Sequence, residues 1–302
     1  AEVYKRGEKW VNYLFNPRTI LEDLGRSNLI KRLDSFFEVS SGNIRYLYLT
    51  SRGDIKGVRN VGGNEFFYLT EERARDLGIP GEYLYPLLPS SRYMRFFVFR
   101  KDEWEDLKKQ GGECYLFLCR KPRRELPESV RRYIEMAEGS NAIIRLRRRP
   151  GEGEGRPVSE SLASQTRKRH KQFFVDWYDL GGVIDVPLFT PYYAQYLHRF
   201  ALIEPGFKVA LDADFIAFKP KVGFELVELK ALLAYLNSSF TQLAIEVRGR
   251  TTGGGMLAIE VEHAKKLPIL NVKKLNMMEI KRLADLFDKL ESEARRLGGA
   301  DR

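Results

Sequence analysis

Three stretches of the chain gather residue types that bind polyanions. SQTRKRHKQFF, residues 164–174, runs cations directly into aromatics. Arg167, Lys168 and Arg169 can pair with phosphates, and a ring can stack on a base or fill a core. A solvated charge run in front of a core strand accounts for the same residues. In VRGRTTGGGMLAIEV, residues 247–261, Arg248 and Arg250 flank a turn containing Thr251, Thr252, Gly253, Gly254 and Gly255. The backbone N–H groups of such a turn form an anion-binding concavity. A plain helix-to-strand connection uses the same glycines for their φ angles. In GVRNVGGNEFFYL, residues 57–69, Arg59, Asn60 and Asn64 surround Gly62 and Gly63. Arg and Asn make bidentate contacts to guanine and adenine edges, while an Asn/Gly hairpin turn needs no DNA.

Groups that could catalyse are sparser. His170, His198 and His263 are far apart, and none sits in a ligand spacing such as H-E-x-x-H. They read as surface or hydrogen-bonded structural histidines. The sequence has neither a G-x-S-x-G nucleophile elbow nor a G-x-x-x-x-G-K-[ST] phosphate loop. Asp212 and Asp214 are the most suggestive carboxylates. On a strand they would share a face and permit metal binding; as turn residues between strands they need no ligand. Glu228 and Lys230 form an E-x-K string at a helix start, without a convincing partner for a PD-(D/E)xK nuclease site. Cys114 and Cys119 lie in a strand-like run at an odd offset, so they should face opposite sides as two buried thiols in a reducing cytoplasm.

The elements that must position these groups belong to a basic chain. Its 302 residues carry 51 Lys and Arg against 41 Asp and Glu, a formal net charge of +10. That excess bears on partners rather than fold. Nucleic acid is the first candidate, an anionic membrane surface the second, and a basic protein with no polyanion partner the third. A hydrophobic content of 43% supports a substantial core. No apolar run reaches the roughly 18–20 residues of a membrane helix, and the first residues hold no apolar signal core. Residues 1–39 read as a lead-in with helical spacing over 18–37. Residues 40–275 read as one domain, with a mobile basic loop at about 145–171. Residues 276–302 read as an amphipathic helix that packs on its own domain or pairs with a partner helix in an oligomer. Residues 57–70 read as a Gly-rich turn entering a strand, and short strands are predicted at 44–50, 94–99, 114–119, 171–177, 183–189, 199–203, 208–211, 215–220 and 256–261. Helices are predicted at 71–80 and 127–139, a helical turn ending at two glycines at 102–112, and one long core helix from Glu225 to Gly249. The mixture lacks regular βαβ alternation, so the predicted class is α+β, with mixed short-strand sheets around a long core helix.

Residues 54–88, 185–220 and 232–269 together resemble the C-terminal target-recognition (specificity) domain of TaqI-type adenine-N6 DNA methyltransferases and related fused restriction–modification enzymes. The closing segment is the most specific, with its N-S-S helix, G-R turn, G-G-G and K-K-L-P-I in order. The resemblance implies a TaqI-like specificity fold, a double-stranded DNA partner, cytoplasmic location and a role in positioning adenine for flipping into a catalytic domain. In the family that domain binds S-adenosylmethionine and carries N-P-P-Y. Here the nearest string is Asn16-Pro17-Arg18, so the chain is expected to be non-catalytic and to hold no cofactor. It reads as the C-terminal part of a longer enzyme or as a separate specificity subunit beside a methyltransferase. Arg167, Lys168, Arg169, Arg250, Lys265 and Lys266 are then candidate phosphate contacts. Arg59, Asn60, Asn64, Tyr192 and Tyr193 are candidate base contacts, and Thr251, Thr252, Gly253 and Gly254 the backbone approach. The run before N-E-F-F departs from the family pattern, so the target sequence is not inherited. An RNA-binding or basic scaffold protein is the competing class.

Overall fold

The computed structural model describes residues 26–45, 63–147 and 153–299. β1 (Ile30–Arg32) and β2 (Phe37–Ser41) come first, joined by a 3-10 turn at Leu33–Ser35. The helix predicted across 18–37 is thus replaced, in its described part, by extended chain. The reason lies far away in sequence: Ile30 is opposite Leu270, and Val39 is opposite Phe218. Local spacing cannot register such partners.

The next elements are α1 (Asn64–Phe67), β3 (Tyr68–Leu69), α2 (Glu71–Asp76), β4 (Leu84–Leu88), β5 (Val98–Phe99), α3 (Lys101–Lys109), β6 (Tyr115–Phe117), α4 (Glu128–Glu135) and α5 (Leu162–Arg169). Then come β7 (Leu188–Pro191), β8 (Tyr193–Ala194), β9 (Ala201–Ile203), β10 (Ala210–Leu211), β11 (Phe215–Pro220), α6 (Leu226–Leu236), α7 (Ser239–Arg248), β12 (Arg250–Thr251), β13 (Leu257–Ala258), α8 (Val261–Lys265), β14 (Pro268–Leu270) and α9 (Met277–Leu297). The strands form four small sheets, in the orders β1-β14, β10-β4-β6-β3, β2-β11-β7-β9-β5 and β12-β13-β8. Parallel pairs (β10 with β4, β5 with β9) are mixed with antiparallel ones, so the α+β class holds.

Three apolar clusters fill the interior. The first gathers α1, α4 and the chain around Trp177; the Phe66 ring lies 4.7 Å from Tyr133 and 4.8 Å from Trp177. The second joins β2 and β11 to α6, α7 and α9. The third centres on Trp104, Phe189 and Phe215. Phe215, Ile216, Ala217 and Phe218 are all buried, because β11 has strands on both edges and apolar clusters on both faces. Cys114 belongs to the third cluster and Cys119 to the first. Their odd offset does send them to different sides, and burial pushes both thiols up to about 11.

The helix predicted as one piece from Glu225 to Gly249 is broken at Asn237. That side chain accepts from Phe200 N–H at 2.9 Å and donates to Phe200 O and Leu233 O, each at 2.9 Å. An amide that binds a neighbouring strand and its own preceding turn competes with helix continuation. The Glu228–Lys230 pair has structural work. Glu228 accepts from Glu225 N–H at 2.8 Å and from Lys273 Nζ at 2.7 Å, while Lys230 reaches Asp288 at 2.8 Å.

α9 has sequence-written ends. Asn276 and Glu279 exchange a capping box, with bonds of 3.0 and 2.9 Å, and Gly298 closes the helix at φ 77°. Ile280, Ala284, Phe287 and Ala294 are buried, so one face packs on the chain's own second cluster. Glu291 secures the dock by accepting from Phe97 N–H at 2.8 Å and Val98 N–H at 3.1 Å. Arg295, ion-paired to Glu291, donates to Val98 O at 3.0 Å and covers the Phe96 ring at 4.3 Å. Glu291→Ala leaves two strand N–H groups without their acceptor, with an expected loss of about 3 kcal/mol. A urea titration should show the lower midpoint; an unchanged midpoint would mean that α9 is not docked in solution.

Candidate nucleic-acid interface

Two of the three stretches singled out as candidates for polyanion binding meet on the first cluster. Gly63 starts α1 at φ 135°, and a Cβ there would lie 2.3 Å from Val158 Cγ1. Only glycine tolerates both demands. Phe66 N–H and Phe67 N–H then return to Gly63 O at 2.9 and 3.0 Å, which winds a helical turn where the sequence suggested a strand. Asn64 is exposed at the start of that turn. Arg59 and Asn60 lie outside the described residues.

Val158 leads into α5, so within the stretch predicted as a mobile loop the segment Leu162–Arg169 is a helix. Ser161 caps the helix by accepting from Ser164 N–H at 3.0 Å, and Ala163, Ser164, Thr166 and Arg167 are buried. Arg167 is also a correction. Predicted to reach phosphate, it is 0% exposed. Its Nε donates to Trp177 O, its Nη2 lies 3.2 Å from Ser164 Oγ, and its guanidinium sits 5.1 Å over the Phe67 ring. Desolvating an arginine is costly, so these donors stay with internal acceptors. Lys168 and Arg169 are exposed and make no ion pair among the described residues; Arg169 reaches only Gln165 O at 3.3 Å. The strand predicted at 171–177 is a turn, since Phe173 N–H and Phe174 N–H both donate to His170 O at 3.0 and 3.2 Å. Phe174 enters the cluster, whereas Phe173 and Val175 remain exposed.

The third stretch lies on the small sheet β12-β13-β8. Ala258 pairs with Arg250 on one side and Tyr193 on the other. Residues in register across a sheet share a face, so Arg250 and Tyr193 project to the same side. Arg250 is held by Glu260 at 2.9 Å and by the Tyr192 side chain. The Tyr192 and Tyr193 rings are 4.7 Å apart. At the hairpin tip Thr252 N–H and Oγ1 both donate to Met256 O, at 2.8 and 3.0 Å. The Thr252 hydroxyl is thereby used within the turn. Gly253 and Gly254 form the following 3-10 turn, and Thr251 is exposed on β12. Lys265 pairs with Glu262 at 2.5 Å, while Lys266 is exposed at the end of α8. Tyr196, 77% exposed, extends the aromatic side of this region. Tyr196 is not among the predicted contacts, although its signal in the sequence is the run of three tyrosines between 192 and 196.

The catalytic candidates resolve as structure. His198 is buried, its Nε2 3.1 Å from Leu257 O, and burial lowers its pKa to about 4. Asp212 occupies a turn, accepting from Asp214 N–H at 2.9 Å and from the buried Tyr68 hydroxyl. Among the described residues no group of three or more His, Cys, Asp or Glu could hold a metal ion. A cavity of about 200 Å³ lies beside α9, lined in part by Phe97, Leu197, His198, Asn237, Gln242 and Leu290.

Residues 49–148 match the family described as "Type II methyltransferase M.Eco57I, C-terminal domain". That segment is thus similar to the C-terminal domain of a type II methyltransferase. Over 234 residues the chain is 21% identical to the type II methyltransferase M.AccI of Acinetobacter calcoaceticus, covering 77% of this chain and 38% of that protein. The chain therefore spans well under half of that curated relative. Among solved structures, the type IIG restriction endonuclease BpuSI aligns with a TM-score of 0.44 at 14% identity, over 92% of this chain and 28% of that one. The matched segment takes in α1 and much of the first cluster. Among the described residues no helix is long and apolar enough to cross a membrane.

Burial raises the Asp212 pKa to about 6. An acid raised above its unfolded value keeps the fold most stable while both states are protonated. That contribution is lost as pH climbs through the folded value. Relative to Asp212→Asn, the natural chain should lose about 1–3 kcal/mol of stability between pH 4 and pH 6.5. Parallel denaturation curves for the two proteins would measure it, and parallel pH profiles would refute the buried, raised carboxyl.

Proposed function

We propose that this chain reads duplex DNA for an adenine-N6 methyltransferase of a restriction–modification system. On this reading it grips a specific site and presents adenine for flipping into a catalytic domain or subunit that it does not itself contain. S-adenosylmethionine would bind there, and the assembly would work in the cytoplasm. The observation that carries the reading is the methyltransferase C-terminal-domain match at residues 49–148, on the same cluster as Asn64 and the exposed Lys168 and Arg169. Phosphate contacts would set register, and a few side chains at base edges would choose the site. Lys168, Arg169 and Lys266 are exposed for the first task. Arg250 and Lys265 must give up Glu260 and Glu262 to join them. Asn64, Tyr192, Tyr193 and the hairpin tip from Thr251 to Gly254 are the candidates for the second.

The test is a titration of the purified chain with duplex DNA at several salt concentrations. Binding should weaken steeply with salt. Replacing both Lys168 and Arg169 with alanine should weaken all sequences alike and reduce the slope by about two, since each phosphate contact contributes about 0.9. Absent binding, a flat salt response, or preference for single-stranded RNA in competition would overturn the proposal. S-adenosylmethionine added to this chain alone should give no binding signal.

A further inference from the structure

We propose that the turn at 168–175 is a docking site for an unstacked nucleobase in DNA. In it, the Phe173 ring stacks on the base while Lys168, Arg169 and Lys171 take the neighbouring phosphates. This rests on the DNA-reading function above and assigns it a contact outside the candidate base-reading residues.

The ring is exposed although its neighbour is not: Phe173 is 49% exposed and Phe174 is 2% exposed. A core strand would alternate the two rings across a sheet, but here they belong to a turn closed on His170 O. The turn is braced from behind. Phe174 packs so closely on Gly181 that a Cβ there would lie 3.2 Å from its ring. Val175 N–H donates to the buried Asp179 at 2.9 Å, and Arg167 ties the end of α5 to Trp177. Such bracing presents the outer ring with little freedom left to lose on binding.

Its surroundings select the ligand. Lys168, Arg169 and Lys171 are exposed, and none is ion-paired among the described residues. Glu138, a carboxylate within electrostatic reach of Lys168, is already bound by Arg123 and by the Trp177 indole. An apolar ring beside cations that have no ion pair among the described residues matches a π-face bordered by phosphates. Because phenylalanine has no polar atom, the contact would be blind to base identity. It would favour a displaced base, as adenine flipping requires.

Fluorescence anisotropy on the full chain can decide this with a fully paired duplex and the same duplex carrying one unpaired adenine. The natural chain should bind the second about tenfold more tightly. Phe173→Ala should lose that preference while keeping its affinity and salt slope on the paired duplex, and Phe173→Trp should restore it. Since the ring is outside the core, the thermal midpoint of Phe173→Ala should be unchanged. Equal preference in the natural chain and Phe173→Ala, or no preference in the natural chain, would overturn the inference alone. Failure of the natural chain to bind either duplex would overturn the DNA-reading function with it.

Discussion

A guanidinium cut off from water must satisfy its donors inside the protein, and Arg167 does so by clamping three segments together. Its bonds to Trp177 O and Ser164, with the Phe67 ring beneath it, join α5, the 170–181 chain and α1. Removing one partner of such a buried arrangement typically costs about 3–5 kcal/mol. Because this cation is spent on the fold, the ones that follow it are pushed outward. Lys168, Arg169 and Lys171 emerge from a surface that Arg167 has fixed, which separates the structural charge of the RKRHK run from its solvent-facing charges.

The same logic organises the second cation group by different means. On the small sheet, register places Arg250 and Tyr193 on either side of Ala258, a buried residue small enough to leave the strands in close contact. Glu260 and Glu262 neutralise the cations there. The α5 end therefore carries exposed cations with no ion pair among the described residues, while Arg250 and Lys265 of the hairpin region are already paired within the protein. Long-range attraction of a polyanion falls to the first, whereas contacts at the second require an exchange of partners.

Legibility in the sequence followed the range of the interactions. α3, α4 and α9 carry amphipathic spacing with readable ends, and β9 to β11 are short apolar runs bounded by turn residues, so each was found. Positions decided by distant partners were not. Residues 30–41 are extended because β14 and β11 lie alongside, and 63–67 coils because Val158 leaves no room for a side chain at Gly63. Asn237 breaks a helix through its bonds to Phe200. For the candidate site, charge and Gly/Thr content singled out stretches by residue type alone. Burial then removed Arg167 and exposed Phe173, a reversal that sequence alone could not show because both residues depend on how the 170–177 turn folds.

The central claim is that the end of α5 and the β12–β13 hairpin are the surfaces that meet DNA. Backbone hydrogen exchange across the whole chain, with and without a saturating cognate-length duplex at low salt, tests it most directly. The account predicts slowed exchange over 168–175 and 250–258, with the outer face of α9 unaffected. Protection confined to α9, or none at either surface while DNA is bound, would contradict it.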